Sequence, residues 1–158
     1  YFPFGAVMIS DHVVEVFEGD TYGKAAIGHG YTYSGHPVGA AAAIACVTET
    51  LRLNVKDNAA ARGQQLFEGL QKLHDDFDVI GDVRGGHGLM CALELVSERA
   101  TKKPIDKATP VKLQKAAYES GAMIRVSGPN VILSPPLVLT AEDVDTILAA
   151  LRSGFQSL

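Results

Sequence analysis

Hydroxyl-bearing residues and glycines precede a helix in residues 30–39, whose sequence is GYTYSGHPVG. The N-terminus of a helix has unpaired N–H groups and a partial positive charge, so it binds phosphate or carboxylate groups. Thr32 and Ser34 add hydroxyl donors to such a site. A simpler interpretation is that Ser34 or His36 caps the helix and the glycines form a tight turn. The residue types alone favour the cap.

Two arginines lie in segments that are otherwise typical of strands. Arg125 lies in the apolar run AMIRVSG, where its guanidinium must reach solvent or meet an anion. A carboxylate matches the planar fork of N–H groups, whereas the structural alternative is an edge-strand arginine that covers apolar surface or pairs with an Asp. The pattern alone favours the structural alternative for Arg125. It does so more strongly for Arg84, which we expect to hold a turn.

Several other chemistries find no support in the sequence. His29 and His36 are seven residues apart with no Cys or carboxylate cluster beside them, so we expect no metal site. Ser127 lacks the strand–turn–helix setting of a nucleophilic serine. The glycines of RGGHG, residues 84–88, precede a predicted strand instead of a helix, which argues against a dinucleotide-binding turn.

The composition of the 158 residues is that of a globular protein, with 47% apolar and 20% charged residues. The net charge of −4 offers no basic surface for a phosphate backbone, so nucleic acid is not an expected partner. The most apolar run, residues 38–47, is shorter than the roughly 18 residues of a membrane span and predicts a buried helix. Cys46 and Cys91 lie among aliphatic residues and are expected to be reduced core residues, which favours the cytoplasm.

Periodicity and turn residues predict the elements that position these groups. Predicted strands cover residues 5–10, 79–83, 89–96, 122–126 and 131–133. Predicted helices cover residues 37–53, a segment capped by Asp57 or Asn58, a segment from Thr109 to Gly121, and a segment that opens with a capping box of Thr140 and Asp143. We expect loops at residues 18–35 and 98–107 and a turn at 127–130.

The order of these elements indicates a fold class of α/β to α+β. Residues 1–56 are expected to form the end of a large α/β domain, with the hydroxyl-rich loop and one long helix. Residues 57–158 are expected to form a small C-terminal α+β domain. The aromatic, Pro-containing start, YFPFGAV, has the character of mid-protein sequence, so we expect the chain to be part of a longer one.

Four motifs in this order resemble one protein family. They are YFPFGAVMIS, GHGYTYSGHPVGAAAA, DVRGGHGLMCALELV and IRVSGPNVILSPPLVLTAEDVD. Together they are similar to the class III aminotransferases of pyridoxal-phosphate fold type I, most closely the omega-amino acid:pyruvate branch. The resemblance covers nearly the whole chain. It implies the last third of such an enzyme, namely the end of the large domain and the small C-terminal domain.

The resemblance also implies roles for individual residues. Thr32 matches the threonine that donates to the phosphate of pyridoxal 5'-phosphate held by the other subunit of a homodimer, and Tyr31 lies beside it. Arg125 matches the arginine that receives the substrate carboxylate, and both sites become the favoured interpretation. Ser134 stands where relatives acting on ornithine-like or glutamate-like substrates carry arginine, which points away from those substrates. Arg84 and His87 receive no role.

The cofactor lysine of the family precedes the segment similar to YFPFGAV, so we expect it upstream of Tyr1 and the 158 residues to be inactive alone. None of the eight lysines present lies in a matching context. The expected activity is transfer of an amino group from an amine or omega-amino acid to a keto acid such as pyruvate. The alternatives are an aminomutase or decarboxylase of the same fold, or a catalytically silent oligomerisation or ligand-binding module.

Overall fold

A computed structural model describes residues 2–19 and 28–158 of the chain. These divide into two compact units, Tyr1–Thr50 and Leu51–Leu158, which are treated separately below. Residues 20–27 of the loop predicted at 18–35, Lys24 among them, lie outside the described residues.

The first unit contains helix α1 (Asp11–Glu18) and most of helix α2 (Pro37–Arg52). The strand predicted at residues 5–10 is wrong: this segment is exposed and pairs with no strand among the described residues. An apolar run of that length becomes a strand only where another strand offers hydrogen bonds, and this unit has none in its described part. The apolar patch that follows, residues 13–17, lies on α1.

Helix α2 has the predicted bounds to within a residue, but its predicted burial is wrong. Gly39, against which the Phe2 ring packs, is its buried residue, while Cys46 is exposed. Exposed aliphatic side chains run along the helix at Val38, Ile44, Val47 and Leu51. No described element of the first unit covers them, and an apolar surface of this kind is typical of a contact with further protein.

Three helices of the second unit begin at caps of different kinds. Helix α3 (Val55–Asp76) follows Asn54, which has a positive φ of 48°, so the cap predicted at Asp57 or Asn58 is wrong. Helix α4 (Ala108–Glu119) is capped by the Asp106 carboxylate, which accepts from the N–H groups of Ala108 and Thr109 at 2.8 and 2.9 Å. Thr109 is therefore the second helical residue instead of the predicted cap. Helix α5 (Ala141–Gln156) has the predicted capping box.

Asn58 lies within α3, does not cap it, and links this helix to a distant segment. Its Nδ2 donates to the carbonyl oxygens of Leu137 and Leu139 at 2.9 and 3.0 Å. These carbonyls belong to the connection between the last strand and α5. An amide with two N–H donors can satisfy two backbone acceptors at once, which is how one side chain fixes this connection.

The sheet of the second unit is antiparallel and has five strands. They are β1 (Ile80–Arg84), β2 (Cys91–Glu98), β3 (Lys103–Pro104), β4 (Arg125–Ser127) and β5 (Asn130–Leu133). The order is β1-β2-β5-β4, and β3 pairs with β2. The strands predicted on either side of RGGHG pair with each other, and the turn predicted at residues 127–130 is confirmed. β3 lies in a segment predicted as a loop.

Side chains on the two faces of β2 separate core from surface. Cys91, Leu93 and Leu95 are buried, and Ala92 and Glu94 between them are half-buried. The buried face joins Leu66 and Leu70 of α3 and residues of α4 and α5 in one core. Helices packed on an antiparallel sheet confirm the α+β part of the predicted fold class.

Arg84 holds three strands together across the outer part of this sheet. Its Nη2 donates to Asn130 Oδ1 on β5 at 2.7 Å and lies 3.6 Å from Glu94 Oε2 on β2. Its Nε lies 3.8 Å from Asp82 Oδ2 on its own strand. The structural role expected for Arg84 is thus confirmed and is wider than a single turn.

The RGGHG turn packs closely on α3. Gly85, Gly86 and Gly88 have positive φ values of 148°, 89° and 74°, which side-chain-bearing residues rarely adopt. Gly63 of α3 faces this turn, and a Cβ built on it would lie 2.2 Å from the Gly88 oxygen. Glycine at position 63 is therefore what lets the helix and the turn backbone approach each other.

The capping box of α5 predicts a pH dependence of stability. Hydrogen bonds from the Thr140 N–H and hydroxyl hold the pKa of Asp143 below its ordinary value of 3.8. A carboxyl whose pKa is lower in the folded state stabilises the fold above its unfolded pKa, and this contribution is lost as the pH falls through the folded pKa. Asp143→Asn should therefore lower Tm at neutral pH and lower it less below pH 3.8. Thermal denaturation at both pH values measures this, and an equal loss at both would contradict it.

Among residues 2–19 and 28–158, no single helix is long and apolar enough to cross a membrane, and one bent pair of consecutive helices passes by length and composition alone. Within the same residues, no group of three or more His, Cys, Asp and Glu side chains converges as metal ligands would.

Candidate functional site

The hydroxyl-rich segment forms a turn closed by its own residues. Ser34 N–H donates to the Tyr31 carbonyl at 2.9 Å, and Tyr31 N–H donates to Ser34 Oγ at 3.0 Å. Gly35 follows with a φ of 70°, which redirects the chain into α2. Ser34 therefore closes the turn and does not cap the helix.

His36 is the residue that caps α2. Its Nδ1 accepts from the Gly39 N–H at 3.3 Å, and its carbonyl accepts from the Ala40 N–H at 3.0 Å. The Phe2 ring lies against the imidazole, with centroids 5.3 Å apart. Because Pro37 has no N–H and the Gly39 N–H is taken, this helix start offers an anion fewer backbone donors than the sequence suggested.

Thr32 lies at the exposed part of this turn. Within the described part of the chain its hydroxyl makes no hydrogen bond, which leaves one donor free for an external acceptor. Tyr31 is 73% exposed, and its hydroxyl lies 3.5 Å from His29 Nε2. The turn thus exposes the hydroxyl-bearing side chains of two consecutive residues, and the Thr32 hydroxyl is the one without a partner among the described residues, which fits binding of a phosphate oxygen.

Arg125 lies in the second unit, at the first residue of β4. This strand is the edge of the sheet, where Arg125 is paired with Ile132 of β5. The side chain is exposed and has no ion pair or hydrogen bond within residues 2–19 and 28–158. Its guanidinium is available for an external carboxylate, and the pairing with a nearby Asp that the sequence left open is not present in the described residues.

Arg125 borders a cavity of about 780 Å³. Its apolar walls come from Ile124, Ile132, Pro135 and Leu139. Besides Arg125, the polar residues at its lining are Gln114, Ser134, Asp143 and Thr146. A cavity with apolar walls and a few polar groups beside a free guanidinium is typical of a site for a small organic molecule.

The described lysines offer no candidate for covalent chemistry. All seven of them are exposed, and Lys24 lies outside the described residues. Lysines that react with carbonyl groups are usually buried beside apolar or cationic neighbours. The described part of the chain therefore supplies hydroxyl and guanidinium groups for binding and no buried amine.

A sequence model of the aminotransferase class-III family matches residues 2–154. Among curated relatives, an uncharacterised aminotransferase of Sinorhizobium fredii is 37% identical over the whole chain, which covers 34% of that protein. Diaminobutyrate–2-oxoglutarate transaminase of Halomonas elongata is 38% identical over 94% of the chain and 32% of its own length. The chain spans about a third of the length of these relatives.

Solved structures agree with this assignment. An amine transaminase from an uncultivated Pseudomonas species, crystallised in its pyridoxal-phosphate-bound form, superposes with a TM-score of 0.86 at 39% identity. The match covers 93% of this chain and 33% of that one. An (S)-enantioselective omega-transaminase from Thermomicrobium roseum superposes with a TM-score of 0.81 at 28% identity. The chain belongs to the class-III aminotransferases.

Proposed function

We propose that this chain is part of a transaminase that moves an amino group from an amine or omega-amino acid to a keto acid such as pyruvate. The observation that carries the proposal is the class-III match over residues 2–154. One relative named putrescine–pyruvate aminotransferase and solved neighbours named amine or omega-transaminases support this choice of substrates. The free Arg125 guanidinium supports a carboxylate-bearing acceptor.

Pyridoxal phosphate is the cofactor of this family and supplies an electron sink to the reaction when bound. In our proposal Thr32, with Tyr31 beside it, donates to the phosphate of that cofactor. Two exposed hydroxyl groups on one turn fit an acceptor that has several oxygens. The amine that binds the cofactor covalently is proposed to lie outside the 158 residues.

Arg125 is proposed to receive the carboxylate of the keto acid. Its planar fork provides two parallel N–H donors, so the carboxylate is held in one orientation as well as by charge. The adjacent cavity has apolar walls that the organic part of a keto acid can contact. Ser134, exposed at the same cavity, adds no second positive charge, consistent with a monocarboxylate acceptor.

A homodimer in the cytoplasm is the proposed state of the enzyme, with Thr32 donating to the cofactor of the partner subunit. The exposed aliphatic side chains of α2, such as Ile44 and Val47, are a surface that a second subunit can cover. Both cysteines are free thiols, as expected in a reducing compartment. The division into a large-domain end at 1–56 and a small domain at 57–158 stays a prediction.

The test is a transamination assay on the enzyme that contains this chain. Pyruvate and an amine or omega-amino acid should give alanine at a rate that depends on added pyridoxal phosphate. The 158-residue chain alone is the matched control and should give none. Enzyme that racemises, decarboxylates or rearranges the amino acid without alanine formation would identify the aminomutase or decarboxylase alternative, and absence of all turnover would favour a silent module.

The proposed role of Thr32 predicts weaker cofactor binding in Thr32→Ala. Loss of one hydrogen bond to a charged group costs about 1–3 kcal/mol, so the variant should release pyridoxal phosphate during dialysis that the parent enzyme withstands. Thr32→Ser, which keeps the hydroxyl, is the control and should retain the cofactor. Unchanged retention in Thr32→Ala would mean that this residue only shapes the turn.

A further inference from the structure

Gln114 links helix α4 to the residue that precedes Arg125. Its Nε2 donates to the Ile124 carbonyl oxygen at 2.9 Å, across ten residues of sequence. The Gln114 side chain is half-buried, so the bond is partly shielded from water. The bond therefore fixes the approach of the chain to β4 from the helix side.

This bond holds the peptide group between Ile124 and Arg125. The carbonyl of Ile124 and the N–H of Arg125 share one planar peptide unit, so fixing the oxygen fixes the plane. The orientation of that plane sets φ of Arg125 and hence the direction in which its side chain leaves the backbone. Ile124 itself is anchored by a side chain that is only 4% exposed.

At the far end of β4, Asn130 Nδ2 donates to the Ser127 carbonyl at 3.3 Å, so Gln114 holds the start of the strand and Asn130 its end. β4 has three residues and pairs on one side only, with β5. In the described residues the Arg125 side chain makes no hydrogen bond or ion pair that would fix its direction. Gln114 and Arg125 also line the same cavity of about 780 Å³. The Gln114 amide is therefore a polar side chain that holds the backbone directly before Arg125, beside the cavity.

We propose that Gln114 is a positioning residue, which orients Arg125 for the carboxylate of the keto acid. The inference rests on the proposed function and adds a residue to it. In this proposal Gln114 acts on Arg125 through the backbone of Ile124. A displacement of about 1 Å in a binding group can cost up to about 100-fold in rate, so loss of this bond should cost about tenfold.

Gln114→Glu in the enzyme that contains this chain tests the proposal with a nearly isosteric change. The carboxylate cannot donate to the Ile124 carbonyl, so KM for pyruvate should rise about tenfold with kcat nearly unchanged. The half-reaction with an amine that has no carboxylate should keep its rate. Gln114→Lys retains an N–H donor and should restore most of the affinity. Lys112→Gln, an exposed change on the same helix with the same net charge change of −1, should leave KM unchanged.

Combination with Arg125→Ala separates positioning from general damage. If Gln114 acts through Arg125, then Gln114→Glu should have no further effect on the pyruvate KM once Arg125 is absent. The proposal would be overturned if Gln114→Glu raised the pyruvate KM equally with and without Arg125→Ala, or did not raise it in the parent enzyme. Amide hydrogen exchange of residues 124–127 should be faster in Gln114→Glu, a readout independent of turnover, and unchanged exchange would also overturn it. An inactive parent enzyme would instead count against the proposed transaminase function.

Discussion

Replacing Arg125 with alanine is expected to lower kcat/KM for pyruvate by about 10- to 100-fold in the enzyme that contains this chain. The guanidinium is exposed, free of partners in the described residues and beside a cavity with apolar walls. A keto acid would lose a charge-assisted pair of hydrogen bonds, while an amine without a carboxylate would lose nothing. Single-turnover rates of the two half-reactions, followed separately, measure the two effects.

Arg125→Lys provides the matched control for charge. Lysine keeps the positive charge but lacks the planar fork, so it should recover only part of the pyruvate affinity. An equal loss in the amine half-reaction of Arg125→Ala would contradict substrate binding. It would identify the arginine as one that covers apolar surface at the edge of the sheet.

Gly63→Ala is expected to destabilise the second unit by about 2 kcal/mol or more. Its Cβ would lie 2.2 Å from the oxygen and 2.4 Å from the carbonyl carbon of Gly88. The obstacle is backbone of a turn that depends on positive φ values, so it cannot swing aside as a side chain can. Overpacking of this kind costs about 3 kcal/mol, against which the better helix propensity of alanine offsets about 1 kcal/mol.

Gly69→Ala on the same helix is the control for helix propensity. Its Cβ would meet the Leu148 side chain, whose methyl groups can move to another rotamer. Thermal denaturation should therefore show a larger fall in Tm for Gly63→Ala than for Gly69→Ala. A Gly63→Ala protein as stable as the parent would show that α3 and the RGGHG turn can separate at little cost.

Short-range signals predicted the local structure of the second unit well. Ser127 to Asn130 form the predicted turn between β4 and β5, and Thr140 with Asp143 forms the predicted capping box. Both depend on residues within four positions of each other, where side-chain chemistry and backbone geometry are directly coupled. The cap of α4 was misplaced by three residues because Asp106 and Thr109 are both good capping residues.

Long-range polar contacts were not predictable in the same way. Arg99 donates to the carbonyls of Phe77 and Ile80 at 2.7 and 3.0 Å. These bonds satisfy backbone acceptors just after the end of α3 and at the start of β1. Asn58 binds carbonyls about eighty residues away. Nothing in the neighbouring sequence distinguishes these side chains from solvated ones. Only the packing of α3 against the sheet and α5 brings the donors and acceptors together.

The site itself was predictable only in part. The resemblance selected Thr32 and Arg125, and the structure leaves both side chains free in the described residues, so their roles stay predictions. The alanine-rich run of α2 predicted a helix correctly and burial wrongly. Apolar residues indicate that a surface contacts other protein, but they do not show whether that protein is the same subunit or another one.

The position of β4 at the edge of the sheet also bears on aggregation. A free edge exposes backbone N–H and C=O groups that can pair with a strand of another molecule. β4 is only three residues long and opens with a charged side chain, two features by which natural sheets prevent such pairing. Arg125 therefore protects the edge as well as offering a guanidinium to substrate. Arg125→Lys keeps the charge that protects the edge. In Arg125→Ala, only the short length of β4 would oppose self-association.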